Sequence, residues 1–390
     1  MKRTVGIIFS LVFVATLCAV FVLTLLNMDK DFSFFENRTL TELPTAERNS
    51  VLDGSMFDEA EKSFTDHAPL RDLMLASDVR LKLDILHLPV VNDVVAADGE
   101  LLHFYPFGFF DPNEPDSDGV SAAERAAAES AAAHAVGSEY IYVGVPSQLT
   151  YFSELYPDYL EHGAGYTDKL YTVYFGGLRD LGVDCIDMRE VFSREGNDPG
   201  YYMQTDHHLS FDGAYLTYLQ IVDMLNEKGI EADALLDGVD FVKTTLPNPF
   251  IGSRNRKLYG LFRNGDAAGY MNMENAPIIS VQSDGGTYDS VYEFPDNDTE
   301  PVTYEFYMGG DHAETVVRGG ADNGVRLLVC GSSYTNAVET FLAYSCEEMR
   351  SLDMRYYTAK SLEQYIADYR PDAVVMLFDD GEFVKRAGDN

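Results

Sequence analysis

The sequence predicts an α/β protein, a three-layer sandwich in which a parallel sheet lies between helices. Two stretches carry the prediction: around residues 140–187 and again over 325–378, short apolar runs of strand length alternate with longer amphipathic segments. Strands covered on both faces by crossover helices read in that way. The size agrees, since 390 residues with 46% hydrophobic content suffice for one large domain or two modest ones.

Taken in order, residues 4–27 form an uncharged apolar run behind Met1-Lys2-Arg3 and ahead of Asp29, Lys30 and Asp31. Spanning a bilayer takes about 20 apolar residues, so the run reads as a membrane anchor with the basic end in the cytoplasm. The alternative is a cleaved signal peptide, whose apolar part is about 7–15 residues. Residues 32–44 read as an extended stem, and 55–86 as two helices joined at His67-Ala68-Pro69. Residues 91–103 carry a hairpin signal around Asp98-Gly99. Residues 111–119 read as a polar loop, and 121–136 as a helix starting from Ser121 with Glu124 at capping-box spacing.

The expected strands of the sheet are 140–145, 183–187, 325–330, 352–357 and 373–378. The expected helices are 167–181, 212–228, 336–349 and 361–369. A Tyr-, Phe- and Asp-rich, β-rich insertion occupies about 241–317. It is either an arm for a substrate or partner, or a set of hairpins closing the sheet's edge.

Twenty-eight basic residues face sixty-four acidic ones, a net charge of −36, and the basic ones are scattered. Nucleic acid is thereby excluded as a partner. The cysteines, Cys18, Cys185, Cys330 and Cys346, match no zinc spacing.

Two clusters carry chemistry. Ser333 follows the 325–330 strand in Cys330-Gly331-Ser332-Ser333-Tyr334-Thr335-Asn336, where a strand-to-helix turn presents a hydroxyl beside free helix-start N–H groups. Gly331 allows a tight turn there, and Ser332 and Ser333 are equally good helix caps. The second cluster, Asp206-His207-His208 with Asp212, precedes the 212–228 helix. A serine needs a general base, and the base a carboxylate to orient it. In an extended loop Asp206 and His208 turn to one side and His207 away. The same residues also read as metal ligands, or as a plain polar loop.

These landmarks, in order, resemble the DHHW proteins, which are similar to alginate O-acetyltransferase domains of the AlgX/AlgJ type within the SGNH-hydrolase-like superfamily. The resemblance rests on the single anchor, Phe35-Glu36-Asn37-Arg38, the stretch from Phe64-Thr65-Asp66-His67 to Arg71-Asp72, Asp206-His207-His208, and Gly331-Ser332-Ser333-Tyr334. Leu209 stands where the family has tryptophan, and Ser332 where many relatives have aspartate.

The resemblance implies an SGNH-like domain over 91–390, on a stem of residues 31–90 and an anchor of residues 1–30. It implies a triad of Ser333, His208 and Asp206, with Gly331, Ser332, Tyr334, Asn336 and His207 holding substrate or oxyanion, and neither metal nor cofactor. The implied activity is O-acetylation of an extracellular or cell-surface polysaccharide through an acyl-serine, outside the cytoplasmic membrane. A membrane-bound O-acyltransferase of the MBOAT kind is the implied donor partner. A carbohydrate esterase shares that acyl-enzyme, and a binding or assembly protein shares the fold alone.

Overall fold

The structure, a computed structural model, describes residues 2–46, 48–111, 113–160, 163–263 and 265–383. The last residues of the expected 91–390 domain thus lie outside the described residues. The chain divides into two units, one running up to Val94 with Asn255–Arg263 added, the other comprising Val95–Arg254 and the chain after Arg263.

The first unit contains α1 (Lys2–Leu26), the short pair β1 (Phe32–Ser33) and β2 (Arg38–Thr39), and helices α2 (Arg48–Asp53), α3 (Ser55–Asp66) and α4 (Arg71–Arg80). Within α1, Thr4–Leu26 is long and apolar enough to cross a membrane or to serve as a signal sequence. Within the stretch expected to be an extended stem, Phe32–Ser33 pairs antiparallel with Arg38–Thr39, and Glu36 and Arg38 of that turn join Asp66 and Arg71 in one ion network. Arg38 grips Asp66 with two hydrogen bonds, 2.9 and 2.6 Å, and Arg71 lies 2.8 Å from Glu36. Arg38 holds the Asp66 carboxyl well below the usual carboxylate range. His67 sits between the carbonyls of Ser63 and Lys30, at 2.7 and 2.9 Å.

The second unit begins with the expected hairpin, β3 (Val94–Ala97) and β4 (Glu100–His103). It continues through α5 (Glu114–Ala135), β5 (Glu139–Val145), α6 (Gln148–Tyr151), α7 (Ala164–Asp180), β6 (Asp184–Asp187), α8 (Met188–Arg194) and α9 (Phe211–Glu227). Then come β7 (Val242–Thr245), α10 (Ser253–Lys257), whose residues from Asn255 on belong to the first unit, β8 (Gly269–Asn272), β9 (Ser280–Ser283), β10 (Gly286–Tyr288) and β11 (Glu314–Arg318). The chain closes with β12 (Arg326–Gly331), α11 (Asn336–Ser345), β13 (Glu348–Asp353), α12 (Leu362–Tyr369) and β14 (Ala373–Asp379).

One sheet of eight strands, in the order β10-β9-β11-β13-β12-β14-β5-β6, organises this unit. The five strands from β13 to β6 are parallel, with Leu327 opposite Ala373 and Ala373 opposite Glu139. Hydrophobic burial holds it together. Tyr140, Tyr142, Leu328, Cys330, Val374 and Met376 pack into the core shared with α5, α7 and α12. Their strand neighbours Ile141, Val143, Leu327, Val329, Val375 and Leu377 are no more than 1% exposed and point to the other face. The second helical layer is α9 and α11, joined by Phe341 against Phe211, Tyr215 and Tyr218. Burying such a ring is worth about 1.5–3 kcal/mol. All four cysteines are free thiols.

Three expectations are corrected. Residues 114–119 are not a loop, and Ser121 does not start the helix: α5 starts at Glu114, because Pro115 occupies the first turn, where proline needs no partner for its missing N–H, and Glu114 and Asp116 favour the positive helix end. The helix expected over 336–349 stops at Ser345, where Cys346 turns extended. The strand expected at 352–357 is therefore β13, four residues earlier, drawn there by ladders with β12 on one side and β11 on the other. The insertion extends the sheet's edge: β11, β9 and β10 add antiparallel strands beyond β13.

The connections set the place for chemistry. From β5 the chain moves outward to β6, whereas from β12 it moves the opposite way to β13. The crevice outside the carboxyl ends at such a reversal is where open α/β sheets bind ligands. Ser333 stands there, two residues past β12.

Candidate active site

Ser333 lies in the turn between β12 and α11 and is 8% exposed. The turn consumes its own donors: Thr335 N–H bonds Ser332 O at 2.9 Å and Asn336 N–H bonds Ser333 O at 3.3 Å. Gly331 is the last residue of β12, with no positive φ, so its role is not the tight turn expected of it. A Cβ there would lie 2.3 Å from Leu377 O, so the neighbouring strand's backbone requires glycine.

The other half of the site is a loop closed by Met203 N–H on His208 O at 3.1 Å, beside a bridge between Tyr202 and Leu209. Several segments fix this loop. Gln148 Nε2 donates to Met203 O and Asp206 O, each at 2.8 Å. Arg254 N–H bonds Thr205 O at 3.1 Å, and its Nη1 bonds Leu101 O at 2.7 Å. Asp266 accepts from the N–H groups of Gln204 and Thr205, both at 2.8 Å.

Across the two halves runs a chain of short hydrogen bonds. Ser333 Oγ is 2.8 Å from His208 Nε2, and His208 Nδ1 is 2.6 Å from Asp206 Oδ1. Asp206 also accepts from His207 N–H at 2.7 Å and Ser253 N–H at 2.6 Å. Burial alone would raise the Asp206 carboxyl. The attraction of His208 and hydrogen bonds from His207 and His208 outweigh it and hold the group well below its ordinary range. Burial, reinforced by His207, lowers His208 to about 4 against the pull of Asp206, so the resting imidazole is neutral near pH 7.

His207 does not point away, as an extended loop would require. Asp206 Oδ1 takes its N–H and curls the backbone, so the two imidazoles lie 3.7 Å apart and His207 Nδ1 reaches Ser253 Oγ at 3.1 Å. Ligand-type atoms of Asp206, His207 and His208 fall within 4.8 Å of one another, a spacing that suits an ion. Yet both ring nitrogens of His208 and both oxygens of Asp206 are already hydrogen-bonded, and a metal would have to break those bonds.

The remaining expected residues gather at the same place with distinct contacts. Tyr334 donates its hydroxyl to His207 O at 2.5 Å, and Asn336 Nδ2 donates to Asp311 at 3.1 Å. Ser332 Oγ is buried and has no hydrogen-bond partner among the described residues. Sequence reasoning missed Tyr304, from a short turn of the insertion, whose ring stacks on His208 at 4.0 Å and 11°. It missed the side chains of Ser253, Arg254 and Asp266 as well; none stands in a periodic pattern or a motif that could have announced it.

Behind the turn, Glu339 of α11 is buried and accepts from Ser351 Oγ at 2.6 Å. Burial pushes its carboxyl up to about 7. A folded-state pKa above the unfolded value favours folding fully at low pH, and that contribution fades as pH rises through 7. Glu339→Gln should therefore leave the melting temperature near wild type at pH 5 and raise it at pH 8, the difference approaching roughly 3 kcal/mol. Calorimetric scans of both proteins at the two pH values check this.

Comparison with known proteins agrees with this architecture. Residues 109–257 match the family described as the SGNH hydrolase-like domain of the acetyltransferase AlgX. The matched span holds Asp206 and His208 and ends before Ser333. Among solved structures, PatB1 of Bacillus cereus is 24% identical with a TM-score of 0.62, over 76% of this chain and 97% of that one. A second PatB1 structure, with a sulfonyl adduct, is 21% identical with a TM-score of 0.60, over 75% of this chain and 97% of that one. A DHHW family protein from Eubacterium siraeum is 18% identical with a TM-score of 0.57, over 76% and 94%. No curated protein sequence matches. The chain has an SGNH-like α/β fold, and over residues 109–257 it matches the SGNH hydrolase-like domain of the acetyltransferase AlgX.

Proposed function

We propose that this protein is a serine-dependent O-acyltransferase that acetylates a polysaccharide on the outer side of the membrane. The observation that carries the reading is the hydrogen-bonded series Ser333–His208–Asp206 at the sheet's switch point. Neutral His208 takes the Ser333 proton as Oγ attacks the donor's acyl carbon, and returns it to the leaving group, which departs. The acyl-serine then meets a sugar hydroxyl. His208 removes that proton, the sugar oxygen takes the acyl group, and Ser333 recovers its hydrogen. Asp206 stays anionic and steadies the imidazolium in both halves. Ser332, the residue before the nucleophile, has a hydroxyl without a hydrogen-bond partner among the described residues, and this proposal assigns it to the developing oxyanion.

The outer location follows from reading α1 as an anchor with Lys2-Arg3 inside. The likeness to the acetyltransferase AlgX supports the acetyl group as cargo and is consistent with a polysaccharide acceptor, and a membrane-bound O-acyltransferase as acetyl donor is part of the proposal. The test uses the full chain in detergent, an activated acetyl ester and intact mass, followed by oligosaccharide acceptors. Acyl-enzyme that passes its acetyl to sugar supports transfer. Acyl-enzyme lost only to water makes the protein an esterase, and no acyl-enzyme ends the catalytic reading. PatB1 shares this fold and has been seen with a sulfonyl adduct, so a sulfonyl fluoride is a second probe of the same serine.

Tyr304 belongs to the machinery as a positioning residue. Its face supports the imidazolium that forms during turnover, an interaction of about 0.5–2 kcal/mol. Tyr304→Leu should lower kcat about 10-fold and shift the acid limb of the pH profile downward, whereas Tyr304→Phe, which keeps the face, should restore both. Equal loss in both variants would contradict this role.

A further inference from the structure

The first unit contains an apolar groove of about 1060 Å³ that the proposed chemistry does not use. One wall is Val20 and Leu23 of α1, and the other is Leu70, Leu73 and Met74 at the start of α4. Leu70 is 71% exposed, Leu73 62% and Met74 56%, a concentration of bare apolar surface that water does not favour. Lys30, exposed just past the end of α1, stands on the rim.

Depth identifies the occupant. The apolar span Thr4–Leu26 has 23 residues. At 1.5 Å per residue it is about 35 Å long, against about 30 Å of hydrocarbon in a bilayer. Val20 and Leu23 belong to its last two turns, so in a spanning helix they stand at the outer boundary of the hydrocarbon. Side chains that share a groove with them stand at the same depth. The contacts that hold the walls together lie within this unit: Phe21 stacks on Phe64 at 5.7 Å, and Asn27 Nδ2 bonds His67 O at 3.3 Å.

We propose that the groove is a phospholipid seat, with one acyl chain of an outer-leaflet lipid against Leu70, Leu73 and Met74 and its phosphate toward Lys30. This rests on reading α1 as a retained anchor. The chain has no tryptophan, which makes any introduced one a clean reporter. Leu73→Trp, and as control Tyr356→Trp at a 55% exposed position of the other unit, are placed as full chains in nanodiscs of phosphatidylcholine or its dibrominated form. Bromolipid should quench the Leu73→Trp emission about twofold or more and leave the control unchanged. Emission quenched by aqueous iodide and not by bromolipid overturns the proposal. So does emission shielded from both, which would mean that protein covers the groove. Intact mass of the same sample separates the two readings: a chain cut after α1 defeats the anchor, whereas an intact chain without bromolipid quenching defeats only the seat.

Discussion

Ser333→Ala should fold normally, gain no acetyl mass from an activated ester, and lose turnover by on the order of 10⁴-fold or more. Folding should survive because the change removes one hydroxyl and one hydrogen bond to His208, worth about 1 kcal/mol. The turn itself stands on backbone bonds from Thr335 and Asn336 that alanine retains. Function should not survive, because the described neighbours of His208 Nε2 supply no other hydroxyl in its hydrogen-bonding reach. Activity in Ser333→Ala equal to wild type, with the acetyl group found on another side chain, would show that the series is structural and the chemistry lies elsewhere.

Asp206→Asn should cost about 10⁴-fold in kcat and also lower the melting temperature. The buried carboxylate accepts from His208 Nδ1 and His207 N–H on one oxygen and from Ser253 N–H on the other. An amide has only one accepting end. If its oxygen keeps the histidine side, the NH₂ meets the Ser253 N–H donor and a buried bond is lost, at about 1–3 kcal/mol. If the amide turns round, His208 Nδ1 must become the acceptor and its proton moves to Nε2, where it faces Ser333 and cannot receive the serine's proton. The first arrangement loses stability, and the second loses the base and also the bond from His207 N–H, which then faces the NH₂. Thermal melts beside single-turnover rates read both losses, and an unchanged rate would remove Asp206 from the proposed mechanism.

What could be read from the sequence follows from where the information lies. β5, β12 and β14 are short runs of buried apolar residues between helices, and such runs declare themselves locally. The boundary at Cys346 did not, because Ser345 to Met349 continues the helical apolar spacing and only the ladders on both sides of β13 decide for strand. Asp206, His208 and Ser333 were legible as residue types suited to one chemistry. The orientation of His207 was not, since it depends on a side chain closing on the next residue's N–H. Tyr304 and Ser253 reach the site from short helical turns of the insertion, 96 and 45 residues from His208 by the numbering. Contacts of that kind exist only once the fold does.

The position of β14 also bears on how the protein comes into being. It follows every other strand of the described chain, yet it lies in the middle of the sheet, between β12 and β5. Until it arrives, those two strands have open edges facing each other, the arrangement that invites pairing with other chains. Neighbours so far apart in sequence also form slowly. A polypeptide emerging N-terminus first from the ribosome would thus remain an unfinished sheet for most of its synthesis. Its vulnerability to aggregation and proteolysis would end in a single closing step, when the strand holding Val374, Val375 and Met376 slides into the gap.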